Sequence, residues 1–423
     1  MIYNINGGKA IDAGGYGCIF RPQLKCKEQP PGTKYEPDGV SKLMPIKHIK
    51  SEMNEINRIK PYVDNIPDNY KYFLIDNIYH CEPKSLRIED KKNFNETCAN
   101  LMRININKNN VDKNLDKLGI INLPYGGENV YEYLKKLLLE KIIIKKKFIT
   151  LNNSLIDLLN NAIIPLNNNK LLHLDLKGQN ILYDDKSDYA RLIDWGLSDN
   201  YVDGTIPKSL QYKPLQFNLP ISVILFDNDI LNKYLPKISS NKSELYAKVH
   251  KMVKNEYEYK GHYVTIAYIL TLLYPSTILT LTDVLDFITK HLVEIIIKYN
   301  TNGKFDSLRF FFEVFSKNVD VYGFLCSYMA LIENKDKSNN KLSKQMRNIL
   351  LKYCFSSRYS YKPIDINKLN KNLLDLNVYN NKSKKDKYFT ILNKSLSKLK
   401  KTSIKKTLKK SLKKTLKKNN KTK

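Results

Sequence analysis

Residues 173–196 read His173-Leu174-Asp175-Leu176-Lys177-Gly178-Gln179-Asn180, then an apolar run, then Asp194-Trp195-Gly196. Ile181-Leu182-Tyr183 and Ala190-Arg191-Leu192-Ile193 are short β-favouring runs separated by a polar turn at 184–188, a pattern that predicts a hairpin. Such a hairpin brings Asn180 and Asp194 together at its open end. The stretch therefore gathers a carboxylate able to accept a proton, a lysine two residues on, and two oxygen ligands suited to a hard cation, one neutral and one charged.

These are the groups that phosphoryl transfer from ATP requires. The attacking hydroxyl must lie in line with the γ-phosphate and lose its proton to a carboxylate, while magnesium neutralises the phosphate oxygens. Asp175 suits the first task, Lys177 offsets charge on the transferring group, and Asn180 with Asp194 suits the metal. Reading Asp175 and Asp194 as ordinary caps of a helix and a turn explains either alone but not their joint spacing. The stretch resembles the catalytic loop and Asp-Phe-Gly metal motif of the protein kinase superfamily, and Lys177-Gly178-Gln179-Asn180 is similar to its serine/threonine branch. The resemblance implies an α+β, two-lobed fold, with a small β-rich N-lobe and a larger, mostly α-helical C-lobe. It also implies ATP and Mg2+ as cofactors and protein Ser/Thr hydroxyls as substrate. Two residues depart from the family. Leu174 replaces an arginine that would answer a phosphorylated activation loop, and Trp195 replaces a phenylalanine.

The resemblance predicts a glycine-rich loop and a lysine upstream. Ile11-Asp12-Ala13-Gly14-Gly15-Tyr16-Gly17-Cys18-Ile19 fits the loop, with Asp12 standing where the first glycine is expected. Glycines 14, 15 and 17 let backbone N–H groups approach phosphate oxygens. Tyr16 is placed to cover the phosphates, and Ile11 and Ile19 to pack over the adenine. Lys42, in the strand-like run Val40-Ser41-Lys42-Leu43, is the candidate for the α/β-phosphates. Its partner is expected on the helical stretch 51–59, where Glu55 fits the family pattern better than Glu52. Lys71–Tyr79 and Leu118–Leu123 read as further strands, and Pro124-Tyr125-Gly126-Gly127 as the hinge before a helix at Glu128–Leu139. Backbone groups near Asn122–Pro124 would meet the adenine edge. The polar stretch 83–116 reads as a surface insertion.

Beyond Gly196 the family pattern thins. Leu197–Pro220 has the length of an activation segment and carries Thr205 and Ser209, but it lacks an Ala-Pro-Glu ending, for which Asn218-Leu219-Pro220 stands in. Two aspartates could brace the catalytic loop from a central helix. Asp320, in Asp320-Val321-Tyr322-Gly323-Phe324, has the better motif, and Asp229 has the better spacing. With Asp320, residues 221–317 become a helical insertion. Asn348–Phe355 and Ile364–Leu376 then read as closing helices with Arg358 between them.

The 423-residue chain is 42% hydrophobic, enough for one large two-lobed domain over 1–378 divided near residue 123, followed by a lysine-rich tail at 379–423. The six cysteines show no Cys-x-x-Cys spacing, which argues against zinc and against a secreted disulfide scaffold. Cys18 reads as an inert small residue of the loop. Met1–Lys9 has no apolar core of a signal peptide, so an intracellular protein is expected. Val264–Thr282 is uncharged, but Pro275 breaks it and threonines dilute it, so no transmembrane span is expected.

The formal charge is +29, and residues 380–423 alone hold 18 lysines against one aspartate. Ser403-Ile404-Lys405-Lys406 recurs three times as Ser/Thr-Leu-Lys-Lys. A four-residue period drifts about 40° per repeat around a helix, which gives a poor packing face. A solvated tail, a nucleic-acid contact by counterion release and an anionic-membrane contact are the readings of this composition. The phrase Gly14–Pro22, with Cys26 beyond, is similar to protein kinases of large nucleocytoplasmic DNA viruses, which implies the host cytoplasm or the virion as location. The expected activity is Ser/Thr protein phosphorylation. The alternatives are a catalytically weak pseudokinase or scaffold, and a kinase-fold enzyme acting on a small molecule or lipid.

Overall fold

The computed structural model describes residues 9–13, 16–139, 144–213, 215–259, 263–333 and 341–378. Gly14, Gly15, the side chain of Ala13 and the lysine-rich tail lie outside the described residues. The chain is mixed α and β, with a small antiparallel sheet near its start and a larger helical part after it.

Five strands form that sheet: β1 (Lys9–Ala13), β2 (Cys18–Arg21), β3 (Val40–Pro45), β4 (Tyr79–Cys81) and β5 (Leu118–Leu123), in the order β1-β2-β3-β5-β4. Alternation divides its residues between two faces. Ile19, Lys42 and Ile121 lie opposite one another across β2, β3 and β5, while Cys18, Leu43 and Ile120 line the other face. Pro45 ends β3 and opens helix α1 (Ile46–Val63), since a fixed φ suits the helix start and its missing N–H costs nothing there. On the face that carries Lys42, Ile49 of α1 packs with Met44 and Ile121.

The opposite face is covered by the 83–116 stretch. Leu86, Phe94, Cys98, Leu101, Ile106 and Val111 are buried against Cys18, Phe20, Leu43 and Ile120. The stretch expected to be a surface insertion therefore supplies half of a hydrophobic core. Its polar composition belongs to its outer side, and its buried apolar residues are scattered among loops and two four-residue helices, α2 (Phe94–Thr97) and α3 (Ala99–Met102), too short to display a period. Two disulfides hold it. Cys18 bonds Cys98, and Cys26 bonds Cys81, while Cys326 and Cys354 are free and buried. Spacing gave no sign of these pairs because each joins residues more than fifty positions apart. The 71–79 run also differs from expectation. It forms a 3-10 turn and an irregular stretch, and only Tyr79–Cys81 joins the sheet.

The helical part begins with β6 (Glu128–Asn129), α4 (Val130–Leu139) and α5 (Ile144–Leu158), which runs through a π turn into α6 (Ile164–Asn168). Strands β7 (Leu171–Leu172), β8 (Ile181–Asp184), β9 (Tyr189–Leu192) and β10 (Asp199–Asn200) follow. β8 and β9 form the expected hairpin, and β10 returns to pair with β7. Then come α7 (Asn228–Tyr234), α8 (Lys242–Tyr259), α9 (Tyr263–Leu273), α10 (Leu281–Lys298), α11 (Ser307–Phe310) and α12 (Ser316–Cys326). The chain closes with α13 (Ala330–Glu333), α14 (Lys341–Tyr353), α15 (Ser357–Ser360) and α16 (Ile366–Leu374). The 221–317 stretch is helical as expected, and it shares the main core: Phe226 packs edge-on to Phe315 and stacks on Phe310. Among the described residues no helix is long and apolar enough to cross a membrane.

Helix α12 is the axis of this part and is buried along nearly its whole length. It reaches the 173–180 loop through Gly323, where an added Cβ would lie 2.7 Å from Leu176 O and 3.1 Å from Asn218 O. Both are backbone atoms and cannot swing away. Gly323→Ala is therefore expected to destabilise the fold by about 1–3 kcal/mol through overpacking. Urea denaturation measures this, and a midpoint equal to that of the parent would refute the close approach.

Candidate active site

Asp320 of α12 anchors the site. Its Oδ2 accepts the His173 backbone N–H at 2.8 Å and its Oδ1 that of Leu174 at 2.9 Å. Turned to donate, the Asn167 amide also reaches Asp320 Oδ2 at 2.8 Å. Burial pushes the Asp320 carboxyl above its ordinary range, and the two N–H donors and the nearby His173 and Lys213 act against that. Asp229 instead lies in the first turn of α7, whose N-cap is Asp227, so of the two candidates Asp320 is the brace. The grip leaves Leu174 with φ of 61°, a left-handed conformation that costs a branched residue energy and persists only where its surroundings impose it.

The loop so held presents Asp175, which is 6% exposed. Three side chains orient its carboxylate. Lys177 Nζ and Asn180 Nδ2 donate to Oδ2 at 2.8 and 2.9 Å, and Asn218 Nδ2 donates to Oδ1 at 2.9 Å. Asn180 Nδ2 also donates to Asp175 O, so its Oδ1 is the end left for a cation. Asp194 follows the hairpin with φ of 67°, next to Ile193, whose N–H donates to Asn180 O at 3.1 Å and whose carbonyl lies 3.0 Å from His173 Nε2. Among the described residues the Asp194 carboxylate makes no hydrogen bond to protein. One neutral and one anionic oxygen thus stand at the open end of the hairpin, a donor set that fits magnesium better than a softer metal. Among the described residues no cluster of three or more His, Cys, Asp or Glu could hold a metal ion. Burial lowers the His173 pKa, which keeps the ring neutral against Trp195, 4.6 Å away between centroids.

Lys42 bonds Glu52. Its Nζ lies 2.6 Å from both carboxylate oxygens, so the partner is Glu52 rather than the expected Glu55. The two glutamates stand three residues apart on one face of α1, and sequence pattern cannot choose between neighbours on a face. Glu55 sits one turn on, with its Oε2 3.4 Å from where a Gly196 Cβ would be. Burial first, and then the charges of Glu52 and Asp194, raise its pKa.

The glycine-rich segment is less regular than expected. Ile19 is half-buried on the Lys42 face, Ile11 is exposed, and Cys18 points to the opposite core, where it is disulfide-bonded. Cys18 therefore cannot line a nucleotide pocket with its side chain. Tyr16 is exposed and stacks on His48 of α1, 4.1 Å between centroids. Gly17 has a packing reason of its own, because a Cβ there would come within 2.1 Å of Leu43 O.

Three participants escaped sequence reasoning. Asn218 was read only as part of a segment ending, yet it holds Asp175 and also donates to Leu176 O at 3.1 Å. Lys213 is 6% exposed, and burial lowers its pKa against the opposing pull of Asp175, Asp320 and Asp199. Arg58 of α1 bonds the turn after Asp194. No short motif marks any of them. No protein-family model matches this chain, and no curated protein is significantly similar to it.

Glu52 and Glu55 should separate cleanly on substitution. Glu52→Gln weakens a charge-assisted bond to Lys42 and is expected to lower the melting temperature by about a degree or more. Glu55→Gln should instead raise the melting temperature at neutral pH by about a degree or two. The sign follows from linkage. The folded chain holds the Glu55 proton more tightly than the unfolded chain, so the ionised carboxylate opposes folding above its raised folded pKa. The gain from Glu55→Gln should fade as the pH falls through that value and the parent becomes protonated. pH-dependent melting measures both effects, and the opposite ranking would refute the Lys42–Glu52 assignment.

Proposed function

We propose that this chain is a magnesium- and ATP-dependent phosphotransferase of two-lobed, protein-kinase-like fold, acting on Ser/Thr hydroxyls of proteins. The observation that carries the reading is the convergence on one loop of an oriented carboxylate, a lysine beside it and two cation ligands, with the Lys42–Glu52 pair on the facing sheet and helix. Asp175 would align the attacking hydroxyl and take its proton, with its plane fixed by Asn180 and Asn218. Lys177, already bonded to Asp175, would stay within reach of the transferring group. Asn180 Oδ1 and Asp194 would hold magnesium, whose chemistry is to neutralise phosphate oxygens. Lys42 would contact the α/β-phosphates, kept in place by Glu52. Protein-substrate contacts would fall on the 197–220 segment, where Thr205 and Ser209 are exposed.

One observation favours a second reading, a small-molecule or lipid acceptor. Lys213 and Asn218 are both buried near Asp175, and this leaves an unusual platform for a peptide. The tail, with 18 lysines between residues 380 and 423, is proposed to contact polyanions such as nucleic acid or an anionic membrane by charge alone.

Incubation with Mg-ATP and generic protein substrates tests the proposal. Transfer of phosphate to Ser/Thr is expected, and Asp175→Asn should lower kcat by about 100- to 10,000-fold with little change in nucleotide affinity. Equal rates for parent and Asp175→Asn would defeat the catalytic assignment. Transfer confined to small molecules or lipids would select the second reading.

A further inference from the structure

Helix α1 carries Arg58 two turns beyond Glu52, facing the turn that follows Asp194. Its Nη2 donates to Ser198 Oγ at 2.6 Å, to Ser198 O at 3.0 Å and to Trp195 O at 3.4 Å. Ser198 Oγ also donates to Trp195 O at 2.6 Å. One cation thus gathers three oxygens of the 195–198 turn, and Ser198 is buried beneath it. The turn begins one residue after Asp194 and runs into β10, which pairs with β7, the strand that leads into the 173–175 loop. Holding this turn therefore fixes Asp194 on one side and supports the loop carrying Asp175 on the other.

We infer that Arg58 is a positioning residue that holds the 195–198 turn, and with it Asp194, in working geometry. This rests on the phosphotransferase reading and specifies which residue keeps Asp194 of that site in place. A guanidinium with three acceptors, one of them a hydroxyl at 2.6 Å, is an anchor of the charge-assisted kind.

The test uses the full chain. Binding of a non-hydrolysable ATP analogue and turnover across a magnesium series are measured. Arg58→Ala should raise the half-maximal magnesium concentration about tenfold or more, with KM for the phosphate acceptor unchanged. Ser198→Ala, which spares both carbonyl acceptors, should fall between, and Arg58→Lys should recover part of the loss. Should Arg58→Ala fail to fold, Ser198→Ala and Arg58→Lys decide the matter, and magnesium dependence equal to that of the parent in both overturns the inference. Failure of the parent to bind the analogue defeats the phosphotransferase reading instead. Binding with an unmoved magnesium dependence in Arg58→Ala defeats only the role of Arg58.

Discussion

Asp320 is a carboxylate in the middle of the helical core, where an ionised group without partners would be costly. It persists because its two oxygens accept the backbone N–H groups of His173 and Leu174. Those two bonds also join the buried helix α12 to the loop that carries Asp175. The left-handed Leu174, the placement of Asp175 and the close approach at Gly323 all follow from one constraint, that the loop must lie against α12 within hydrogen-bond reach. Substitution at this point would act on folding and on the site together, since the same atoms serve both.

Helix α1 is the second organising element. Glu52, Glu55 and Arg58 follow one another at three-residue intervals and face, in order, Lys42 on the sheet, the Asp194–Gly196 turn, and the oxygens of Trp195 and Ser198. At its first turn His48 stacks on Tyr16 of the glycine-rich segment. One rigid rod thus touches both parts of the molecule that the proposed chemistry needs in register. A shift of this rod by one helical turn would exchange its partners, which is how a packed helix converts a small displacement into a discrete change.

Much of the site was legible because its chemistry is local in sequence. Asp175, Lys177, Asn180 and Asp194 flank a hairpin whose strands are visible from composition, and Lys42 lies in a short apolar strand. What escaped depended on three-dimensional neighbours. Pattern could not choose Glu52 over Glu55, because both occupy the same helical face. Asp320 outdid Asp229 through contacts almost 150 residues away in sequence, where spacing has no bearing. Asn218 and Lys213 reach Asp175 from a segment with no regular period. The core beneath 83–116 was hidden by its polar outer side, and Gly14 and Gly15 lie outside the described residues.

The disulfides give the two parts of the molecule different physical characters. Cys26–Cys81 spans 55 residues and lies nested inside Cys18–Cys98, which spans 80. In the chain-entropy picture, loops of that size each restrict the unfolded ensemble by about 4 kcal/mol. Both loops close within the sheet-bearing part, while the helical part holds its shape through its core and keeps its two cysteines as thiols. A reductant would therefore loosen one end of the molecule while sparing the other, and the two ends would cease to melt as one.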